Sequence, residues 1–239
     1  MIRIVTYNVS GGFDPGAVGD VLAELEPRIV CVLERPSTKR LRRIGRGANL
    51  EVAARAGRRG NGTAVLVHQD VGVRSTSPVP LTTPRDVPTR EAVNVIVTAG
   101  GLRLSVTAVQ FGLRPEVRRI NLDELLTFLA TVNAPTVVGC DLNESVRSPV
   151  AAALAERFQD AHAVAGAGHG DTYPTSDPST RQDYVFADRS LTLLGCHVPS
   201  GPTVDVASHH RPVVVDLAGR QDEASRLDRE EDAAESSAA

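Results

Sequence analysis

The sequence predicts an α+β fold, a four-layer α/β/β/α sandwich of two mostly antiparallel sheets with helices on the outer faces. Two observations carry this expectation. Roughly ten short apolar runs, many of them β-branched, read as strands, while three stretches show helical spacing. The 239 residues contain no internal repeat, and a single core at this length hides roughly 70–75% of the unfolded surface.

The elements follow in order. Ile2 to Val9 reads as a strand; Asp14-Pro15 then offers a cap and a first helical residue, and Val18, Val21, Leu22 and Leu25 recur at helical spacing before Pro27. Ile29 to Leu33 is a continuous apolar run and reads as a buried strand. The arginine-rich stretch after it predicts a loop and a short helix. Ala64 to Val67 and Val71 to Val73 are short strands, and Ser75 to Pro88, rich in proline, reads as an exposed loop. Gly100-Gly101 between Val93–Val97 and Leu102–Val109 signals a tight hairpin. Pro115 starts a second helix with Ile120, Leu125, Leu126 and Leu129 inward, Thr136 to Val138 forms a strand, and Ser148-Pro149 caps a third helix. Tyr184–Phe186, Leu191–Leu194 and Val213–Leu217 complete the strands.

Charge is divided unevenly along the chain. The total is 26 basic against 29 acidic residues, but Gly219 to Ala239 alone carries 3 Arg and 7 acids. That tail has one large apolar residue, Leu227, so the expectation is a domain over 1–218 followed by an acidic disordered tail over 219–239. From Arg35 to Gly60 nine basic side chains face one acid, Glu51. Three cysteines without metal or redox spacing give no disulfide framework, and no run of about 18 apolar residues occurs. A cytoplasmic protein with no membrane partner is the expectation. The chain has no Trp, which argues against an extended base-stacking platform.

Polar residues terminate the apolar strands. Asn8 ends the first, Glu34 follows the second, Asp141 and Asn143 follow Thr136-Val137-Val138, Asp183 precedes Tyr184, and His209-His210 precedes Val213. Each alone is an ordinary turn residue. Together, on strand ends that converge on one rim of a sandwich, they predict a site. Glu34 with an Asp and Asn residues supplies hard oxygen ligands suited to Mg²⁺ or Mn²⁺, and His210 with Asp183 makes an imidazole–carboxylate pair. The combination fits phosphoester hydrolysis.

At these residues the chain resembles the endonuclease/exonuclease/phosphatase superfamily. The resemblance runs through Thr6-Tyr7-Asn8-Val9, Ile29 to Glu34, Gly139-Cys140-Asp141-Leu142-Asn143, Thr172-Tyr173-Pro174, Arg181 to Phe186 and Ser208-His209-His210-Arg211-Pro212-Val213. It implies a metal-dependent phosphoester hydrolase in which Glu34 and Asn8 hold the ion, Asp141 activates water, and Asn143 and the His210–Asp183 pair donate to the phosphate. Arg90 and Arg181 would add charge. Gln110 stands where many members have His, so it offers the substrate a hydrogen bond but no titrating proton, and His209 stands where the family has Asp, which predicts weaker metal binding or a shifted ion preference. The other histidines, His68, His162, His169 and His197, read as structural or surface residues.

Two functions remain open at this stage. One is a phosphodiesterase or nuclease, with the basic segment Arg40–Arg59 tracking nucleic acid; a lipid or inositol-phosphate phosphatase shares its chemistry. The other is a catalytically weakened module that binds phosphate or nucleic acid on the same fold.

Overall fold

The computed structural model describes residues 1–10, 14–87 and 90–219. One sheet has the order β10(Gly166–Ala167)-β12(Leu191–His197)-β13(Val213–Gly219)-β1(Ile2–Asn8)-β2(Ile29–Leu33)-β4(Thr63–His68)-β3(Leu50–Ala56). The other has the order β5(Gly72–Val79)-β6(Ala92–Ala99)-β7(Leu102–Gln110)-β8(Thr136–Asp141)-β11(Asp183–Ala187)-β9(Gln159–Asp160). Pairing is antiparallel except at β1/β2, β7/β8 and β10/β12.

Alternation along the strands sends one set of side chains between the sheets and the other set outward. Ile4, Cys31, Leu33, Val65, Val95, Val106, Val185 and Val215 fill the space between sheets. Val5, Tyr7, Val30 and Val214 pack outward against α1(Pro15–Leu25), α2(Thr38–Arg46) and α6(Pro202–Ala207). Val138, Cys140, Tyr184 and Phe186 pack outward against α3(Pro115–Ala130) and α4(Pro149–Arg157). A short α5(Ala161–Ala165) follows β9. These are the four layers expected.

Local chemistry sets the boundaries. Asp14 accepts from the amides of Gly16 and Ala17 to open α1, Ser37 accepts from Arg40 to open α2, and Ser148 accepts from Ala151 to open α4, each with roughly 1 kcal/mol of capping stabilisation. The β6–β7 hairpin turns through Gly100 at φ 51° and Gly101 at φ 78°, the positive values a type I′ turn needs. Gly139 permits close approach of the sheets, since a Cβ there would lie 2.7 Å from Cys31 Cβ.

Three expectations fail. Ser75 to Val79 continues β5, an edge strand whose outer residues are exposed and polar and so lack an apolar pattern. Part of the basic segment forms β3, whose Ala53-Ala54-Arg55 has little strand propensity. Ile120 is 40% exposed, because Val117, Asn121, Leu122, Leu125 and Leu129 make the buried stripe of α3. Of the tail, Gly219 ends β13, and residues 220–239 lie outside the described residues.

Candidate active site

The parallel pairs β1/β2 and β7/β8 bring four C-terminal strand ends to one rim, and the antiparallel β11 and β13 begin there. This topology assembles Asn8, Glu34, Gln110, Asp141, Asp183 and His210. Asn8 Nδ2 donates to Asp141 Oδ2 at 3.0 Å across the two sheets, and its Oδ1 accepts from Ser10 N at 2.9 Å. Asn8 therefore turns its nitrogen, rather than its oxygen, to the carboxylate. Ser208 Oγ donates to the Asn8 carbonyl at 2.7 Å and fixes the strand end.

Asp141 lies opposite Asp183 in the β8/β11 register, and both are fully buried. Asp141 Oδ1 accepts from the backbone of Asn143 at 2.8 Å, while its Oδ2 accepts from Asn8 and from Gln110 Nε2 at 3.0 Å. Asn143, in the left-handed region at φ 51°, anchors its amide on the Phe111 carbonyl at 2.9 Å. Asp183 Oδ2 accepts from Thr172 Oγ1 at 2.7 Å and pairs with His210 Nδ1 at 2.8 Å; its Oδ1 is buried without a partner. His210 also packs on Tyr173, ring centroids 4.8 Å apart. One ligand atom from each of Asp141, Asp183 and His210 falls within 4.8 Å of the others.

Burial, then repulsion from Asp183, raises the Asp141 pKa to about 6, against the pull of His210 and its hydrogen bonds. Burial alone would lower the pKa of His210. The charge and hydrogen bond of Asp183, aided by Asp141 and Glu34, outweigh it and raise the value to about 9. The site at neutral pH thus holds an imidazolium beside a carboxylate whose pKa suits a general base.

Gln110 departs from its expected role. Its Nε2 donates to Glu34 Oε1 at 2.9 Å as well as to Asp141, and its Oε1 accepts from the buried guanidinium of Arg90. Both amide protons are engaged with carboxylates, so Gln110 is a bridge between Glu34 and Asp141 and has none left for a substrate. Arg181 departs too. Its guanidinium is paired with Asp160 and lies 4.4 Å from the Tyr184 ring centroid, on the side chain that alternates away from Asp183. Its charge is thus engaged by Asp160 and the Tyr184 ring. His209 is exposed and lies outside the buried Asp141–Asp183–His210 group.

A hard divalent ion suits the donor chemistry. Two carboxylates, Glu34 and Asp141, share one bridging amide, and the buried Asp183 Oδ1 has no hydrogen bond, so oxygen donors exceed the protein's own counter-charges at this rim. Sequence reasoning gave no part to the Thr172 hydroxyl, to Ser208, or to Arg35. Nothing in spacing distinguishes a threonine that supports a carboxylate from one in a turn.

The basic segment is spread over two places. Arg40, Arg42, Arg43 and Arg46 are exposed on α2, with Arg42 and Arg55 lining an open groove of about 560 Å³ between α2 and β3. Arg58 and Arg59 are exposed on the β3–β4 turn. Among the described residues none of these seven is in an ion pair. No helix is long and apolar enough to cross a membrane among the described residues.

Known structures share this architecture. A functionally unknown conserved protein from Enterococcus faecalis V583 superposes with TM-score 0.80 at 19% identity, covering 92% of this chain and all of the other. A mannosyl-6-phosphatase of Bacteroides thetaiotaomicron VPI-5482 gives 0.76 at 12% identity over 91% of this chain and 100% of that one. The human Nocturnin catalytic domain with bound sulfate gives 0.70 at 15%, over 91% and 93%. No curated protein matches the sequence. The family model for endonucleases, exonucleases and phosphatases does match, over residues 5–229. On that match the chain belongs to the endonuclease/exonuclease/phosphatase family.

Proposed function

We propose that the protein is a Mg²⁺- or Mn²⁺-dependent phosphodiesterase of the nuclease type, working in the cytoplasm, with its catalytic residues in a domain over 1–218. The observation that carries this reading is the buried Asp141–Asp183–His210 group within 4.8 Å, linked through Gln110 to Glu34. A phosphatase and a sulfate-bound catalytic domain among the neighbours support a site for tetrahedral anions.

Glu34 would hold the ion, with Asp141 and Asp183 adding negative charge; Asn8, expected as a second ligand, instead presents Nδ2 to Asp141 and keeps its Oδ1 on Ser10 N. When bound, a divalent cation there supplies charge neutralisation for a phosphate oxygen and the leaving oxygen. The protein's own groups do the rest. Asp141, held by three donors, takes the proton from the attacking water and aligns it. His210 uses Nδ1 on Asp183, which leaves Nε2–H as a charged donor to the phosphate as negative charge grows. Asn143 has one amide proton beyond the one on Phe111 and offers it to the same phosphate. Basic side chains over Arg40–Arg59 supply an electrostatic footing for nucleic acid.

The purified protein hydrolyses bis(p-nitrophenyl) phosphate only with Mg²⁺ or Mn²⁺, and Asp141→Ala lowers the rate by about 10²–10⁴-fold. Turnover that persists in excess chelator, or an unaltered rate in the variant, rejects the reading.

A further inference from the structure

The two donors assigned to the phosphate are held in different ways. His210 leans on a buried carboxylate, Asp183, whereas Asn143 Nδ2 hangs on a main-chain carbonyl, that of Phe111, at 2.9 Å. The direction of that carbonyl therefore sets the direction of the second amide proton of Asn143. Asn143 also sits at φ 51°, a region that costs a non-glycine residue energy, so its loop has to be held by its surroundings.

That hold comes from the start of α3. Phe111 leads into Gly112 and Leu113, whose carbonyls accept from Arg118 Nη1 at 3.2 and 2.6 Å. The Gly112 amide donates to Asn121 Oδ1 at 3.4 Å, about one helical turn further on. A Cβ on Gly112 would lie 2.6 Å from Val117 Cγ1, so the strand exit lies flat against the helix. On its other side Arg118 Nε donates to Glu144 Oε1 at 2.6 Å, and Glu144 is the residue after Asn143. One guanidinium thus joins the loop that carries the Phe111 carbonyl to the loop that carries Asn143. The two side chains of this pair are 9% and 12% exposed, and the buried Glu144 Oε2 has no hydrogen bond of its own. Helix stability does not explain the choice of residue. Arg118 stands in the first turn of α3, where the helix dipole disfavours a cation, and burial adds a cost of lost hydration. What it secures is the relation between the two loops.

We infer that Arg118 is the positioning residue for Asn143. It fixes the Phe111 carbonyl relative to the Asn143 backbone, so that the free amide proton of Asn143 faces the phosphate, and it touches no substrate itself. The planar fork of arginine suits the task, because Nε and Nη1 reach two loops at once from one rigid group. The inference rests on the reading of Asn143 as a phosphate donor and adds the side chain through which α3 sets it.

The test is a double-mutant cycle on the hydrolysis of bis(p-nitrophenyl) phosphate with Mg²⁺. Arg118→Lys keeps a charge beside Glu144, and with it the fold, but an ammonium is a single point and cannot stand where both Nε and Nη1 stand. Its kcat falls by about 10–10²-fold while KM stays within about threefold, the pattern of a donor displaced from a developing charge. Asn143→Ala alone lowers kcat by about 10²-fold. Adding Arg118→Lys to Asn143→Ala lowers it by less than about threefold more, because the residue acts through a side chain already removed. A role in stability alone gives equal losses in both backgrounds. The positioning is also read without turnover, in the ¹⁵N spectrum of the protein in chelator, where the Asn143 side-chain pair is identified by its loss in Asn143→Ala. Arg118→Lys moves that pair toward the shifts of a free amide and speeds its exchange with solvent. An unchanged kcat in Arg118→Lys, additive losses in the cycle, or an unmoved Asn143 signal overturns the assignment. A wild-type protein that hydrolyses no phosphodiester refutes the catalytic reading, and the spectrum then decides the positioning by itself.

Discussion

Substituting Gln110→Glu inverts the role of the side chain that joins the two halves of the site. Gln110 Nε2 now donates to Glu34 Oε1 and Asp141 Oδ2 at 2.9 and 3.0 Å, and the substitution keeps its shape while removing both donors. A hydrogen bond to a charged group contributes about 1.5–3 kcal/mol, so about 3–6 kcal/mol is lost when all three carboxyls are ionised. Arg90, already bonded to the Gln110 oxygen, keeps a partner and moderates the loss. For a chain of this length each kcal/mol moves Tm by about 2–4 °C, which gives a fall of roughly 10 °C. The assay is thermal melting of both proteins in chelator at about pH 8 and again at about pH 5, where a carboxyl can hold a proton and donate once. The expected difference in Tm shrinks by about half at the lower pH, and added Mg²⁺ narrows it at the higher one, because a third carboxylate favours a cation. A difference below about 2 °C, or one equal at both pH values, refutes the bridging role.

Two further outcomes are expected. His210 titrates near pH 9 by NMR in chelator, against 6.5 unperturbed, and Asp183→Asn removes the partner that raises it. Its contribution to stability is then complete below pH 6.5 and lost as pH rises through about 9; a midpoint below about 7 contradicts the pairing. Arg181→Ala removes one member of a pair whose side chains are 8% and 13% exposed and destabilises the fold by about 3 kcal/mol in denaturant titration. Its KM for a phosphodiester stays within about twofold, and a larger rise returns Arg181 to substrate binding.

The strand ends were legible because each joins an apolar run to a polar residue. Asn8, Glu34, Asp141, Asp183 and His210 fall at such junctions, and the two parallel pairs gather them. Hydrogen-bond direction was not legible. Nothing in the order of residues tells that both protons of Gln110 point at carboxylates, or that Arg181 turns to Asp160 instead of the rim. Edge strands were missed for a related reason: β3 and β5 bury little, so their residues carry polar or small side chains that read as loop. On α3, Arg118 is buried because its guanidinium satisfies the carbonyls of Gly112 and Leu113 and the carboxylate of Glu144, a use of charge inside that hydrophobic periodicity does not register.

The contact between Asn8 and Asp141 joins residues 133 positions apart, and His210 meets Asp183 from a third region of the chain. Contacts of such separation form only after long loops have closed, late in assembly. No fragment from one end of the chain contains the whole rim. Its polar groups come together only when one sheet closes on the other.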